Sequence, residues 1–333
     1  MQTTDAVEHR WVNKFDLQLI NERCFNRKHI DGYIRKELFE GEETLLPEVA
    51  QGVELLKQWM AEQYYDSKAV RLHHLAQLDL EKLVTEIFVG VVYFQAETPL
   101  VNAIGQLASR IGFDDKRDSV QTIAEVLAVL AETDVFDLIK HHRNSSIQIQ
   151  SNITFSEKLS NFIAYSCYLP PLVCEPQKLV NNRSTAYYTH QNDSLILGGG
   201  FNHHDGNICL DVLNSRNSVP LSLDIEFLST VEEEPTHDLD SIENDEDLSD
   251  WQVADMIRKQ KDNWAAYKEQ SYYFYSLMVN QGNRFYISNK VDKRGRMYAC
   301  GYHITPQGTS FKKAMINLAD QEPVSGVPSK FRK

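Results

Sequence analysis

The sequence predicts a mixed, mainly α-helical protein that closes with a strand, a turn, a second strand and a helix. Three observations carry this prediction. Apolar residues recur at helical spacing over roughly the first 165 residues, the texture becomes strand-like at about 184–210, and helical spacing returns after residue 249. With 333 residues, 42% of them hydrophobic and 24% charged, the chain is long enough to bury more than one core.

A helical amino-terminal domain is predicted over residues 1–230. Its clearest signals are two apolar stripes at helical spacing, which comprise Leu83, Val84, Ile87, Phe88 and Val91, and then Leu100, Ala103, Ile104, Leu107 and Ile111. Thr98 and Pro99 suit the cap and first turn of the second helix, and Gly112 suits its end. Phe136 and Ile139 are predicted to continue the helical layer.

A small sheet or hairpin is predicted within this domain, at about residues 184–210. Pro170 and Pro171 end the helical layer, because proline cannot continue a helix. Residues 185–189 and 194–197 then have strand-like composition, and the glycines at 198–200 suit a tight turn.

Residues 231–250 are predicted to be an acidic linker. They contain ten Asp or Glu residues and no Lys or Arg, and they cannot bury a core. The net charge of the chain is −13, from 34 Lys and Arg against 47 Asp and Glu, so the balance without these ten acids is 34 against 37. Between residues 281 and 316, seven cations accompany one acid, a local net charge of +6. The acidic total therefore masks a basic patch that suits phosphate groups.

Residues 251–284 are predicted to form one long helix, or two with a bend. Ser249 and Gln252 have the spacing of a capping box, and apolar residues follow at intervals of three, four and seven. Four cations fall between these apolar positions, namely Arg258, Lys259, Lys261 and Lys268. They suit contacts with a phosphate backbone, and ordinary surface charge explains them equally well.

Residues 285–320 are predicted to form strands at 285–287 and 296–302 around a turn, followed by a helix at 310–319. The remaining residues, 321–333, are read as a tail.

The turn between these strands carries the most suggestive chemistry. Asp292 and Gly295 take the first and last places of a four-residue turn, so Asp292 is interpreted as a turn former rather than a metal ligand. Alternation along the following strand places Arg296 and Tyr298 on one face. A guanidinium beside a phenol suits a phosphate with its attached sugar or base.

Lys312 and Lys313 fall in the first turn of the predicted closing helix, where the helix dipole disfavours cations. Two ammonium groups at that end would suit a bound anion. The alternative, that both are solvated surface lysines, stays open.

Several classes of function are disfavoured. No apolar run approaches the length of a membrane span, and the first ten residues lack the pattern of a secretory signal, so a cytoplasmic protein is expected. The adjacent histidine pairs point apart and the cysteines form no Cys-x-x-Cys pair, so no metal site is predicted. The triple glycine lacks the residues of a nucleotide-binding loop.

The closing region resembles the start of the palm in the single-subunit phage and mitochondrial DNA-directed RNA polymerases. The resemblance rests on an ordered set of residues: Asp292, Gly295, Arg296, Tyr298, Ala299, Pro306, Gln307, Gly308, Lys313, Leu318 and Ala319. Looser similarity to the amino-terminal domain of that family precedes it, at residues 83–112, 169–171, 198–201, 213–215 and 223–227. The long helical segment stands where the family has its thumb, and the whole resemblance covers roughly residues 70–320.

The resemblance implies roles for several residues. Arg296 would contact the template strand or the RNA–DNA hybrid, Gly295 would let the main chain approach the nucleic acid, and Tyr298 would brace the same surface. Lys313 would approach nucleotide or RNA phosphates. Arg294 and Lys312 belong to the same expected contact surface.

The resemblance also implies a partner. In that family the metal-binding aspartates and the fingers lie downstream of the glycine–arginine turn, and this sequence stops at Lys333. We therefore expect either a truncated sequence or the smaller subunit of a split, heterodimeric polymerase like those of certain podophages. A second subunit would then supply the rest of the palm, the fingers and the aspartates that hold Mg²⁺.

Template DNA, nascent RNA and nucleoside triphosphates would be the other partners, with no membrane involved, in the host cytoplasm if the chain is phage-encoded. The competing interpretation is a non-catalytic protein that binds single-stranded nucleic acid or regulates transcription. A degenerate polymerase-like scaffold is a third possibility.

Overall fold

The computed structural model describes residues 13–41, 43–111, 113–140, 146–165, 169–191, 194–231, 249–321 and 326. The chain divides into two compact units, one of residues 1–25 and 168–333 and one of residues 26–167. The boundary predicted at residue 230 lies within the first of these units. About 55% of the structure is helical with a few small strands, which confirms the mainly α prediction.

The unit of residues 26–167 is built mainly from amphipathic helices. They are α2 (Arg27–Phe39), α3 (Leu46–Met60), α4 (Asp66–Leu75), α5 (Leu80–Val91), α6 (Leu100–Leu107), α7 (Lys116–Leu130) and α8 (Glu157–Tyr165), with 3₁₀ turns at Ala108–Arg110 and Ala131–Thr133. The Asp79 side chain accepts a hydrogen bond from the Lys82 N–H at 3.1 Å and so caps α5. The apolar stripes predicted for α5 and α6 lie in one core.

A three-stranded antiparallel sheet completes this unit. Its strands are β1 (Thr98–Pro99), β2 (Phe136–Lys140) and β3 (Ile147–Ser151), in the order β1-β3-β2. The prediction that Phe136 and Ile139 continue a helix is therefore wrong. Asp134 has a left-handed φ of 58° that ends the preceding 3₁₀ turn, and pairing with β3 then holds the chain extended. Gly112 lies outside the described residues.

The other unit has shorter elements around one long helix. Its helices are α1 (Lys14–Phe25), α9 (Leu210–Asn217), α10 (Ile225–Thr230), α11 (Asp250–Asn280) and α12 (Ser310–Ala314), and its strands are β4 (Leu221–Leu223), β5 (Asn289–Val291), β6 (Met297–Ala299) and β7 (Ile316–Leu318). β5 pairs with β6 and β4 with β7, both antiparallel. The predicted long helix and its Ser249–Gln252 capping box are confirmed.

The prediction of a small sheet at 184–210 is wrong for the residues described there. They contain a 3₁₀ turn at Gly199–Asn202 and one isolated bridge, from Ile196 to Val291. The main chain is held by buried side chains instead. The carboxylate of Glu22, on α1, accepts hydrogen bonds from the N–H groups of Tyr188 and Thr189 at 3.0 and 2.7 Å. The Glu22 carboxylate thus gives these two N–H groups the acceptors that a neighbouring strand would supply in a sheet.

The closing helix is shorter than predicted. α12 ends at Ala314, and β7 follows by pairing with β4, so residues 316–318 are a strand rather than a helix. Leu318, in this strand, is 58% exposed. The predicted strand at 285–287 makes only isolated bridges, from Tyr286 to Leu172 and from Phe285 to Leu221. The acidic linker, apart from residues 231, 249 and 250, lies outside the described residues, as does most of the tail.

Candidate nucleic-acid interface

The basic turn stands at the tip of the hairpin formed by β5 and β6. Lys290 is paired with Tyr298 and Val291 with Met297. Val291 is buried in a cluster with Leu195, Ile196 and Leu213, which fixes the base of the hairpin.

Asp292 builds the turn, as predicted. Its Oδ1 accepts hydrogen bonds from the N–H groups of Arg294 and Arg296, both at 2.9 Å, and its carbonyl accepts the Gly295 N–H at 2.9 Å. Gly295 has a φ of 80°, in the left-handed region that favours glycine, and a Cβ placed there would meet no atom within 4 Å. Glycine is therefore required by conformation, and the tip has open space beside it.

Arg296 is held by the same aspartate. Its Nε donates to Asp292 Oδ2 at 2.7 Å, and its Nη2 lies 2.7 Å from the same oxygen. Partial desolvation raises the pKa of Asp292, but the hydrogen bonds from Arg296 and Arg294 outweigh it and lower the pKa to about 2. The guanidinium still has 54% of its side-chain surface exposed, so its orientation is set while its outer N–H groups stay accessible.

One face of the hairpin combines cations with an aromatic ring. The Arg296 guanidinium carbon lies 5.8 Å from the centre of the Tyr298 ring, in agreement with the predicted shared face. Lys290 stands opposite Tyr298 and joins this face. Sequence reasoning did not select Lys290, because only the strand register shows which way it points. Arg294 is 73% exposed at the tip, 3.7 Å from Asp292.

Gln307, which lies between Pro306 and Gly308, forms hydrogen bonds along the outer edge of β6. Its Oε1 accepts the Ala299 N–H at 2.8 Å, and its Nε2 donates to the Met297 carbonyl at 3.2 Å. The side-chain amide therefore occupies the place of a neighbouring strand.

Lys312 and Lys313 differ in their surroundings. Lys312 donates to the Tyr302 carbonyl at 2.8 Å, and its ammonium lies 4.3 Å from the Tyr302 ring centre and 5.1 Å from that of Tyr267. Desolvation lowers the pKa of Lys312. Lys313 is exposed. Because α12 has only five residues, the argument from a helix dipole at this position is wrong.

The four cations of α11 have different surroundings. Arg258 and Lys259 both pair with Asp255, at 2.6 and 2.7 Å, and Lys268 donates to the Val231 carbonyl at 3.2 Å. Lys261 is exposed. Their contact with a phosphate backbone stays a prediction.

A buried histidine that sequence reasoning did not select lies between α11 and the segment after β6. His303 stacks on Phe274, with ring centres 4.9 Å apart, and its Nδ1 lies 2.7 Å from the Ser271 hydroxyl oxygen. Desolvation, assisted by the Lys312 charge, lowers its pKa to about 4. The histidine is therefore neutral at pH 7 and supports the site by packing.

Comparison with protein-family models and with curated proteins finds no match to this chain. In the part of the chain that the structure describes, no group of three His, Cys, Asp or Glu residues could hold a metal ion. No described helix is both long and apolar enough to cross a membrane.

Proposed function

We propose that this chain is a subunit of a DNA-directed RNA polymerase of the single-subunit type. In this proposal it supplies contacts to the template or hybrid and to nucleotide phosphates, and a partner chain carries the metal-binding aspartates and the fingers. The supporting observation is the hairpin, where Asp292 orients Arg296 beside Tyr298 and Lys290 on an accessible face. Three of these residues, Asp292, Arg296 and Tyr298, belong to the set that resembles the polymerase palm.

The chemistry of the hairpin suits this role. An arginine whose orientation is fixed by a carboxylate can offer its remaining donors to a phosphate without first losing rotamer freedom. The φ of Gly295 and the open space beside it leave room for a nucleic-acid backbone at the tip.

Mg²⁺ held by the partner chain would supply the metal-ion chemistry of nucleotidyl transfer. Asp292 does not fit as its ligand, because both carboxylate oxygens already accept hydrogen bonds from the turn. No residue of this chain is assigned to the metal.

The test is reconstitution of RNA synthesis from two chains. The full chain is mixed with the candidate companion, encoded by the neighbouring gene, together with primed template, Mg²⁺ and nucleoside triphosphates. Arg296→Ala should lower the rate of synthesis about a hundredfold or more while the two chains still assemble.

Lys293→Ala is the matched control, because it removes one positive charge from the same turn without touching Asp292. It should change the rate only slightly. Elongation by Arg296→Ala at the wild-type rate would refute the assigned role, and absence of any companion that restores synthesis would refute the polymerase proposal. Tight, salt-dependent binding of single-stranded nucleic acid by this chain alone would favour the regulatory alternative.

A further inference from the structure

The strand edges of this protein are not protected equally. An edge strand presents unpaired N–H and C=O groups, and proteins normally cover such an edge or place charges on it. In the described residues, Gln307 covers the edge of β6. The outer side of β4 is covered by Phe285 and by Asn283, whose side-chain amide donates to the Leu223 carbonyl and accepts the Leu223 N–H, both at 2.9 Å.

Among the residues that the structure describes, none covers the outer edge of β7 in this way. Asp224 N–H donates to the Met315 carbonyl and Ala319 N–H to the Pro220 carbonyl, so residues 315, 317 and 319 face β4. By alternation, the N–H and C=O groups of Ile316 and Leu318 point away from β4. Within the part of the chain that the structure describes, these four groups have no hydrogen-bond partner.

The side chains at this edge are apolar. Ile316 pairs across the strands with Leu223, and Leu318 with Leu221, so all four lie on one face of the small sheet. Leu318 is 58% exposed, and β7 contains no charged residue. By contrast, β2 in the other unit carries Asp137 and Lys140, which are charges that discourage pairing.

We propose that the free edge of β7 receives an extended strand of the companion polymerase chain, with apolar residues at alternate positions that cover Leu318. This inference rests on the proposed function. A second copy of this chain is the less suitable occupant, because two chains of net charge −13 repel each other. Four backbone hydrogen bonds and one covered leucine are a modest interface, so the edge fixes the alignment of the two chains and other contacts add to the affinity.

The test compares two substitutions at one position in the full chain. Leu318→Pro removes an N–H that points away from β4, so the pairing of β4 with β7 keeps its own hydrogen bonds. Leu318→Ala keeps the N–H and removes most of the side chain. We expect Leu318→Pro to weaken binding of the companion at least tenfold and Leu318→Ala to weaken it less, with thermal unfolding of the free chain checked for both variants.

Hydrogen exchange of the wild-type complex gives a second measurement that requires no substitution. The amides of Ile316 and Leu318 should exchange at least tenfold more slowly when the companion is bound.

Four outcomes are distinguishable. Protection of these amides together with weak binding by Leu318→Pro supports the inference. An active two-chain enzyme with unprotected amides and normal binding by Leu318→Pro overturns the inference and leaves the proposed function standing. Concentration-dependent protection in this chain alone assigns the edge to a second copy and overturns the named occupant. Absence of any companion that assembles overturns both proposals.

Discussion

Residues 26–167 bury aliphatic and aromatic side chains that recur at helical spacing. Among the described residues of 1–25 and 168–333, by contrast, the buried side chains include several amides and hydroxyls, the Glu22 carboxylate and the His303 imidazole. Phe88 is typical of the first unit, since it lies on the apolar face of α5 and is fully buried. Glu22 is typical of the second, since it is also fully buried but holds main-chain N–H groups. Apolar residues at helical spacing predict the helix that contains them. A buried polar side chain instead holds residues that are distant in the sequence, and no local pattern shows which residues those are.

The unit of residues 1–25 and 168–333, the polar unit, also carries the candidate interface. Asn21 and Gln281 exchange two hydrogen bonds, at 2.8 and 3.0 Å, and so join α1 to the end of α11. Asn217 accepts the Asn289 N–H at 2.9 Å and so fixes the start of β5. The contact between Asn217 and Asn289 helps to specify the geometry of the hairpin, because a buried polar group tolerates few alternative arrangements.

The largest expected effect on stability is in the apolar unit, which comprises residues 26–167. Phe88→Ala should lower the free energy of unfolding by about 3–5 kcal/mol, because it leaves a cavity in a close-packed core. Denaturant unfolding measures the loss, and hydrogen exchange should show it first at the amides of α5. Phe88→Leu is the control and should cost much less; equal losses from both variants would show that the core does not depend on the ring.

Glu22→Ala should destabilise the polar unit by roughly 3 kcal/mol, because the N–H groups of Tyr188 and Thr189 lose their buried acceptor. The amides of 188 and 189 should exchange faster, and those of α5 should be unchanged. Glu22→Gln keeps an acceptor oxygen and should cost less. If the exchange rates of 188 and 189 do not change, Glu22 does not hold this segment.

His303 makes the stability of the polar unit depend on pH. Its pKa is about 4 in the folded chain and about 6.5 when unfolded, so the unfolded chain binds more protons between these values. Stability is therefore complete above about pH 6.5 and falls as the pH decreases towards 4, by roughly 2 kcal/mol at pH 5. Unfolding measured from pH 7 to 5 checks the slope.

His303→Phe is the control for this slope. It removes the titrating group while keeping a ring to stack on Phe274, and should flatten the dependence between pH 6.5 and 5. An unchanged slope would assign it to other groups.

The smallest expected effect is at the tip of the hairpin. Gly295→Ala should cost about 1–2 kcal/mol, because alanine resists a φ of 80° although no atom obstructs its Cβ. Gly295→Asn should cost less, since asparagine tolerates left-handed backbone. Thermal unfolding compares the two variants. A larger loss for asparagine than for alanine would show that space at the tip, rather than φ, selects glycine.

The hairpin shows how much of the candidate site could be predicted. Asp292 and Gly295 were predicted as turn residues because a turn of four residues is a local structure that its own sequence specifies. The shared face of Arg296 and Tyr298 also followed from alternation along one strand. Lys290 was missed because it joins that face only through its pairing with the opposite strand.

By itself, the sequence determined the helices with regular apolar spacing, the Ser249–Gln252 cap and the turn at Gly295, since each depends on interactions within a few residues of the chain. Only the tertiary structure decided that residues 316–318 form a strand, that Glu22 replaces a sheet near residue 188, and that Lys312 packs against Tyr302. The physical reason is the same in all three cases. The partners lie 10 to 167 positions away along the chain, so local propensity is overruled by hydrogen bonds and packing that exist only after the chain has folded.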